Sequence, residues 1–180
     1  NSTHTLNETP YGKSKRVSGK ILEDIGGPFT DLMLPHIFGE GARPFYNNVT
    51  ATFISQIIDN EAPNINPDGS VQLLHASAAA QIGIDAAVKG TTGLIRPSSH
   101  VISVLELFEH IEKFHSDYLN NIFPDLKSSF IRDLFNCYRF ASYPLSWPRK
   151  LHQNEDSRGT LFEAVKGGGG GQSFVSVTKP

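Results

Sequence analysis

The chain has 180 residues, 16 basic and 18 acidic, with a formal net charge of −2 at pH 7. This near-neutral balance argues against a nucleic-acid partner, because no stretch forms a sustained basic face. No apolar run reaches the roughly 18 residues that a membrane helix requires. The one cysteine, Cys137, excludes an intrachain disulfide, agrees with a reducing cytoplasm, and is expected to fill space in the core.

The first predicted element is a helix that opens at Pro10 and closes at the run Gly26-Gly27-Pro28. Tyr11 and Lys15 then stand at positions i and i+4, on the same helical face. Ser2 lies nine residues before Tyr11. An ammonium near a phenol favours the ionised phenol, which can exchange a proton with a carbonyl or alcohol oxygen. The Ser2 hydroxyl can hydrogen-bond the same oxygen.

The motif Ser2-x-x followed by Tyr11-Gly12-Lys13-Ser14-Lys15 resembles the extended short-chain dehydrogenase/reductase family of nucleotide-sugar enzymes. The resemblance implies an α/β fold, with Tyr11 as proton donor and Ser2 polarising the substrate oxygen. Lys15 would hold the nicotinamide ribose of NADPH or NADH. The alternative for a lone Tyr-x-x-x-Lys is a pair of solvated helix charges. Lys13, Arg16 and Lys20 are expected on the solvated side of the Tyr11 helix.

The next segment, residues 29–38, predicts an apolar strand. It ends in Leu34-Pro35-His36-Ile37-Phe38-Gly39, which is similar to the family's Pro-x-Asn-x-Phe-Gly. The resemblance makes Pro35 and His36 candidate cofactor contacts, although His36 stands where the family has asparagine. A packed, hydrogen-bonded histidine is the structural alternative for His36.

The stretch Arg43-Pro44-Phe45-Tyr46-Asn47, followed by Ala51-Thr52-Phe53, is similar to a subgroup of reductases in capsular and surface polysaccharide synthesis. Arg43 offers a planar fork of donors suited to a diphosphate, and Asn47 can reach a sugar hydroxyl or a uracil edge. The structural alternative is a loop with a capping asparagine.

Hydrophobic periodicity predicts helices over residues 47–60, 76–89, 103–120 and 126–140, with short strands near 71–74 and 94–96. The helix over 103–120 carries an apolar stripe of Val104, Leu105, Phe108, Ile111, Phe114 and Tyr118. His110 and His115 are five residues apart, off one face, so no metal site is expected within this chain. Ala78-Ala79-Ala80 stands where the family usually has a Val-Asp-Asp segment, which indicates either a divergent branch of the family or a locally rebuilt substrate lobe.

The last segment resembles the start of the cupin barrel in bifunctional capsular polysaccharide reductases. The likeness is carried by Asp156-Ser157-Arg158-Gly159 and by the strand after Gln172. The glycines at 167–171 predict a flexible turn between two strands. The resemblance implies residues 1–145 as the C-terminal part of a Rossmann-like reductase domain. Residues 146–180 would comprise a linker, at about residues 146–156, followed by the first cupin strands. Any metal ligands of the cupin would come after Pro180.

The chain has no strand, glycine-rich turn and helix of the kind that binds a dinucleotide pyrophosphate. Because Asn1 also begins within a family motif, we expect an internal fragment that is inactive alone.

The function expected from the resemblance is NADPH-dependent reduction of a 4-keto-6-deoxy UDP-N-acetyl sugar, coupled to a cupin C3-epimerase, in a cytoplasmic homodimer. A nucleotide-sugar C4-epimerase would use the same Ser2, Tyr11 and Lys15. A dehydratase is disfavoured, because Thr3-His4-Thr5 stands where that enzyme needs an Asp-Glu pair. A non-catalytic binding or assembly module is the alternative from another class.

Overall fold

The structure is a computed structural model that describes residues 1–179, without the side chains of residues 144 and 146. It is a mixed α/β fold. The chain divides into two compact units, residues 1–38 with 70–102 and residues 39–69 with 103–179.

The helices and strands follow one another along the chain. The α-helices are α1 Pro10–Ile25, α2 Val49–Ile58, α3 Ala76–Lys89, α4 Val104–Leu119 and α5 Ser129–Ser146. The strands are β1 Thr30–Leu32, β2 His36–Phe38, β3 Ser70–His75, β4 Gly93–Ile95, β5 His100–Ser103, β6 Ile122–Phe123, β7 Gln153–Asp156, β8 Gly159–Gly167 and β9 Gln172–Thr178. A short 3-10 helix, Thr3–Leu6, precedes α1.

The first unit contains two small sheets. Strand β1 pairs in parallel with β4, and the other sheet has the order β2-β3-β5, with β2 parallel to β3. Helix α3 follows β3 directly and packs against it, as a βα unit does. The buried apolar side chains of this unit are Met33, Phe38, Leu73, Leu74, Ala79, Ala86 and Ile102.

The strand predicted over residues 29–38 is wrong in one respect, since it is broken into β1 and β2. Pro35 lies at the break, where it has no N–H to offer a sheet. Leu34 pairs instead with the chain start: it forms a parallel bridge with Ser2 and accepts a hydrogen bond from the Thr3 N–H at 3.0 Å. Because the strand is interrupted, the Leu34 backbone is available to pair with the segment that carries Ser2 and holds it in place.

Helices α2, α4 and α5 pack on one another to form the core of the second unit. The predicted stripe on α4 is correct at Ile111, Phe114 and Tyr118, which are buried. It is wrong at Leu105, which is exposed, and it misses Leu107, which is fully buried. The core is completed by side chains of α2 and α5, namely Phe53, Ile54, Ile57, Phe130, Leu134, Phe135, Cys137 and Tyr138.

The helix predicted over residues 126–140 in fact begins at Ser129 and extends to Ser146. Ser128 is its N-cap, since the Ser128 hydroxyl accepts a hydrogen bond from the Ile131 N–H at 3.4 Å. The other three predicted helices agree with α2, α3 and α4 to within two residues at each end. Within residues 1–179, none of the helices combines the length and apolarity needed to cross a bilayer.

The last three strands, β7, β8 and β9, form an antiparallel sheet with β8 in the centre, and β6 adds to β8 in parallel. The predicted glycine-rich turn joins β8 to β9. Residues 153–156 belong to β7 and not to a linker, because they pair with the start of β8. The domain boundary at residue 145 and the cupin assignment stay predictions.

The α4 core gives a test of the packing. Ile111→Ala removes a side chain with no exposed surface, so the free energy of unfolding should fall by about 2–5 kcal/mol. Leu119→Ala, on the same helix but 57% exposed, is the control and should change it by less than about 1 kcal/mol. Urea unfolding followed by circular dichroism measures both. Equal losses would contradict the core described here.

Candidate active site

Tyr11 and Lys15 lie on consecutive turns at the start of α1. The helix begins as predicted: Thr9 is the N-cap, its hydroxyl accepting a hydrogen bond from the Gly12 N–H at 3.1 Å, and Pro10 is the first helical residue. The Lys15 Nζ lies 5.4 Å from the centre of the Tyr11 ring, so the expected same-face pairing is observed. Tyr11 is 53% exposed and therefore open to a ligand.

Gly12 allows the 3-10 helix to pack against the first turn of α1. A Cβ built on Gly12 would overlap the carbonyl oxygen of Asn7 and lie 2.5 Å from that of His4. No side chain fits there without a backbone shift. The glycine inside the Tyr-Gly-x-Ser-Lys motif is therefore explained by this close approach of two backbone segments.

Arg16 also links the 3-10 helix to α1, through hydrogen bonds. Its guanidinium donates hydrogen bonds to the carbonyl oxygens of Thr5, at 2.6 Å, and Asn7, at 3.1 Å, and pairs with Glu8. The expectation that Arg16 lies on a solvated face is wrong, because the side chain folds back over the start of its own helix. These bonds satisfy carbonyl groups of a short helix that has few internal partners.

Ser2 lies at the beginning of the 3-10 helix and caps it. Its Oγ accepts a hydrogen bond from the His4 N–H at 3.2 Å. That bond uses a lone pair of the oxygen, so the hydroxyl hydrogen can still be donated to a ligand. The catalytic role of Ser2 stays a prediction.

His4 lies beside Tyr11 and also contacts His36. The His4 ring is 6.0 Å from the Tyr11 ring and 5.4 Å from the His36 ring, both edge-on. Burial, reinforced by the neighbouring His4, lowers the pKa of His36 below its ordinary value. The neutral imidazole is therefore favoured at this position. Sequence reasoning named His36 but missed His4, whose signal was its place two residues after Ser2.

Pro35 is buried at the break between β1 and β2, directly before His36. Its fixed backbone and missing N–H account for the break. A cofactor contact at Pro35 stays a prediction.

Arg43 and Asn47 lie in the loop before α2, in the second unit. The Arg43 guanidinium is 5.5 Å from the centre of the Tyr46 ring, and both side chains are exposed. Asn47 has a left-handed backbone with φ of 51°. The capping asparagine is its neighbour Asn48, whose Oδ1 accepts a hydrogen bond from the Ala51 N–H at 2.9 Å. Asn47 is thus not used as the helix cap.

Thr52 holds this loop in place. Its Oγ1 accepts a hydrogen bond from the Phe45 N–H at 2.9 Å and donates one to the Asn48 carbonyl at 2.8 Å. Phe45 has a φ of 58°, which is rare for a bulky residue and costs free energy. The Ala-Thr-Phe motif therefore supplies a residue that stabilises a strained loop, a role that the sequence alone did not indicate.

The structure brings five of the predicted site residues into the first unit and two into the second. The first group is Ser2, Tyr11, Lys15, Pro35 and His36, and the second is Arg43 and Asn47.

No family model matches the chain. The chain is similar to the UDP-2-acetamido-2,6-beta-L-arabino-hexul-4-ose reductase of Pseudomonas aeruginosa, at 28% identity over 181 residues, which cover 96% of this chain and 49% of that protein.

Solved structures show the same likeness. The capsular polysaccharide assembling protein CapF of Staphylococcus aureus has a TM-score of 0.84 at 29% identity, over 99% of this chain and 51% of that one. CapF with the inhibitor 3-isopropenyl-tropolone has a TM-score of 0.76 at 27% identity, over 92% and 49%. The chain thus spans about half the length of the proteins it matches. The resemblance to capsular polysaccharide reductases that the motifs indicated is confirmed.

The close approach at Gly12 can be tested by adding one methyl group. Gly12→Ala should lower the free energy of unfolding by about 1–3 kcal/mol, because the new Cβ meets backbone oxygens that cannot move aside alone. Gly19→Ala on the same helix is the control, since its nearest neighbour lies at 3.4 Å, and alanine there should be neutral or stabilising by about 1 kcal/mol. Chemical denaturation measures both. A Gly12→Ala chain as stable as Gly19→Ala would disprove the close packing.

The lowered pKa of His36 predicts a pH dependence of stability. Between the folded pKa and the ordinary value of about 6.5, the unfolded chain binds more protons than the folded chain. The contribution of His36 is therefore full above about pH 6.5 and is lost as the pH falls through the folded pKa. His36→Asn should lose less stability than the wild type from about pH 7.5 to about pH 5.5. His152→Asn, in the second unit, is the control, and wild-type behaviour of both variants would refute the prediction.

Proposed function

We propose that the chain carries the proton-transfer residues of an NADPH-dependent reductase that acts on a 4-keto-6-deoxy nucleotide sugar of the UDP-N-acetyl-hexosulose type. The biological role is synthesis of capsular or surface polysaccharide. The observation that carries the proposal is the placement of the Lys15 ammonium 5.4 Å from the ring of a half-exposed Tyr11, beside the segment of Ser2. The similarity to a 4-keto sugar reductase and to CapF supports the substrate class.

In this mechanism Tyr11 gives a proton to the carbonyl oxygen of the substrate. The positive charge of Lys15 stabilises the phenolate that remains after the transfer. Ser2 donates its hydroxyl hydrogen to the same oxygen and stabilises the negative charge that develops there.

A bound reduced nicotinamide supplies the hydride. The residues present fit one end of that cofactor, because the Lys15 ammonium next to the phenol can hydrogen-bond the hydroxyls of a ribose. Pro35 and His36 are further candidate contacts. The sequence of this chain has no glycine-rich turn for the pyrophosphate, so tight cofactor binding by these 180 residues alone is not expected.

Arg43 and Asn47 are the proposed contacts to the nucleotide sugar. Arg43 is exposed, and its guanidinium can donate two parallel hydrogen bonds to a phosphate. The first turn of α2, which follows this loop, contains no acidic residue, and its N–H groups favour an anion. Asn47 is exposed and is not the helix cap, so its amide can contact a sugar hydroxyl or a base edge.

A nucleotide-sugar C4-epimerase is the second candidate, since it would use the same Ser2, Tyr11 and Lys15. The two activities differ in whether the cofactor is consumed. Similarity to a reductase favours net reduction. Coupling to a cupin C3-epimerase is part of the proposal, supported by the antiparallel strands β7, β8 and β9 at the end of the chain.

A homodimer through α1 is also proposed. The helix exposes an apolar row of Val17, Ile21, Leu22 and Ile25, each about half exposed or more. Monomers rarely leave such a contiguous row in water. A location in the cytoplasm stays an expectation from the sequence.

The substitution Tyr11→Phe, made in the whole protein that contains this chain, tests the proton-transfer role of Tyr11. The variant should reduce the 4-keto sugar at least roughly 100-fold more slowly than the wild type, because the proton donor is gone. The dissociation constant for NADPH should change little, since the ring is kept. Lys13→Met, an exposed residue on the same helix, is the control and should keep the wild-type rate. A Tyr11→Phe enzyme at full rate would remove Tyr11 from its role.

A further inference from the structure

A cavity of about 490 Å³ lies in the second unit, and Glu40, at the start of the loop that carries Arg43, is part of its lining. It is bounded by side chains of α4 and α5 and by the segment after α5. Its lining includes Tyr118, Arg139, Tyr143, Trp147 and Arg149. None of these residues has a part in the proposed reduction.

The two arginines approach the same phenol. The guanidinium carbon of Arg149 lies 4.5 Å from the centre of the Tyr118 ring, and that of Arg139 lies 5.9 Å from it. Burial acts to raise the pKa of Tyr118, but hydrogen bonds from Arg149 and Arg139, with their positive charges, outweigh it and lower the pKa. Positive charge therefore dominates the electrostatic potential at this wall of the cavity.

Acidic groups offset this charge only in part. Among the salt bridges of residues 1–179, none joins Arg139 or Arg149 to a carboxylate. Glu40 is the acidic residue in the lining, so two guanidiniums face one carboxylate. An anion in the cavity would reduce the repulsion between two cations that lie against one ring.

The two arginines differ in how firmly they are fixed. Arg149 donates hydrogen bonds to the side-chain oxygen of Asn121 and, at 3.4 Å, to the carbonyl of Ala164. Arg139 is exposed on α5, and its guanidinium keeps donors for a ligand. Arg149 therefore serves as the fixed cation and Arg139 as the adjustable one.

The lining also contains two exposed aromatic side chains, Tyr143 and Trp147. The rings of Tyr143 and Trp147 have centres 5.9 Å apart and planes inclined by 32°, and the two side chains are 60% and 63% exposed. Exposed rings of this kind stack planar bases, whereas guanidinium pairs bind phosphate oxygens. The cationic and the aromatic side chains of the lining together match the two halves of a nucleotide.

We propose that this cavity binds a nucleoside phosphate, with its phosphate on Arg139 and Arg149 and its base on Tyr143 and Trp147. The site goes beyond the proposed function, and its proposed ligand contacts do not include Arg43 or Asn47. The ligand can be a free nucleotide or the nucleotide part of a nucleotide sugar, because both present the same base and phosphate.

Trp147 is the only tryptophan of the chain, so its fluorescence reports this cavity directly. Titration with UMP should quench the emission to saturation. Uridine, which lacks phosphate, and pyrophosphate, which lacks a base, should each need at least roughly ten times the concentration of UMP. Comparison of UMP with UDP-N-acetylglucosamine then separates a free nucleotide from a nucleotide sugar.

Arg139→Met should weaken UMP binding roughly ten- to hundred-fold, the loss expected for a hydrogen bond to a charged group. Arg139→Lys, which keeps the charge, should recover part of it. Arg132→Met is the matched control, since Arg132 lies two turns earlier on the same face of α5. Far-UV circular dichroism verifies that each variant is folded. Arg43→Met should leave the quenching unchanged, so failure of the proposed reductase and failure of this site can be told apart.

Three results would overturn the proposal. The first is saturable quenching that is equal in Arg139→Met and wild type. The second is uridine binding as tight as UMP binding, which would reduce the cavity to an aromatic surface. The third is no response to any nucleotide, together with a Trp147 emission that shifts with protein concentration. That result would assign the rings to a contact between copies of the chain.

Discussion

The candidate active site depends on one backbone contact, the approach of the 3-10 helix to the first turn of α1 at Gly12. That contact sets the position of Ser2 and His4 relative to the helix that carries Tyr11 and Lys15. Arg16 hydrogen-bonds the same turn from one side. On the other side, Leu34 pairs with Ser2 and Thr3 because Pro35 interrupts the strand. The glycine at position 12, the Arg16 side chain and the strand break at Pro35 thus all help to hold the 3-10 helix in place.

The second unit follows a similar logic with different chemistry. A buried apolar and aromatic core on α4 and α5 provides a rigid base, in which Cys137 is inert because burial, with the Glu40 and Asp133 carboxylates, raises its pKa to about 12. Rigid helices allow the loop before α2 to hold a strained residue, Phe45, through the Thr52 hydroxyl. The same packing leaves Arg139 and Trp147 at an edge, where exposed rings and cations lie together.

The sequence predicted the elements better than their connections. The pair Tyr11 and Lys15, the limits of α1 and α3, and the glycine-rich turn were predictable, since each depends on local periodicity or on Pro and Gly chemistry. The break at Pro35, the return of Arg16 to its own helix and the contact of His4 with His36 were not. These features depend on residues that are distant along the chain or on the rotamer of a long side chain, for which a single sequence carries no signal. The departure at residues 78–80 lies within α3, where alanine is a strong helix former.

Ser2, Tyr11 and Lys15 are proposed to serve a net reduction and not an epimerisation. The direct test uses the whole protein that contains this chain. It is incubated with a UDP-4-keto-6-deoxy-N-acetyl sugar and with NADPH that carries deuterium at the transferred position, and the product is analysed by mass spectrometry. Stoichiometric oxidation of NADPH and one deuterium at C4 of the sugar are the expected result. Conversion of the sugar without consumption of NADPH and without deuterium at C4 would contradict it, as would no conversion at all.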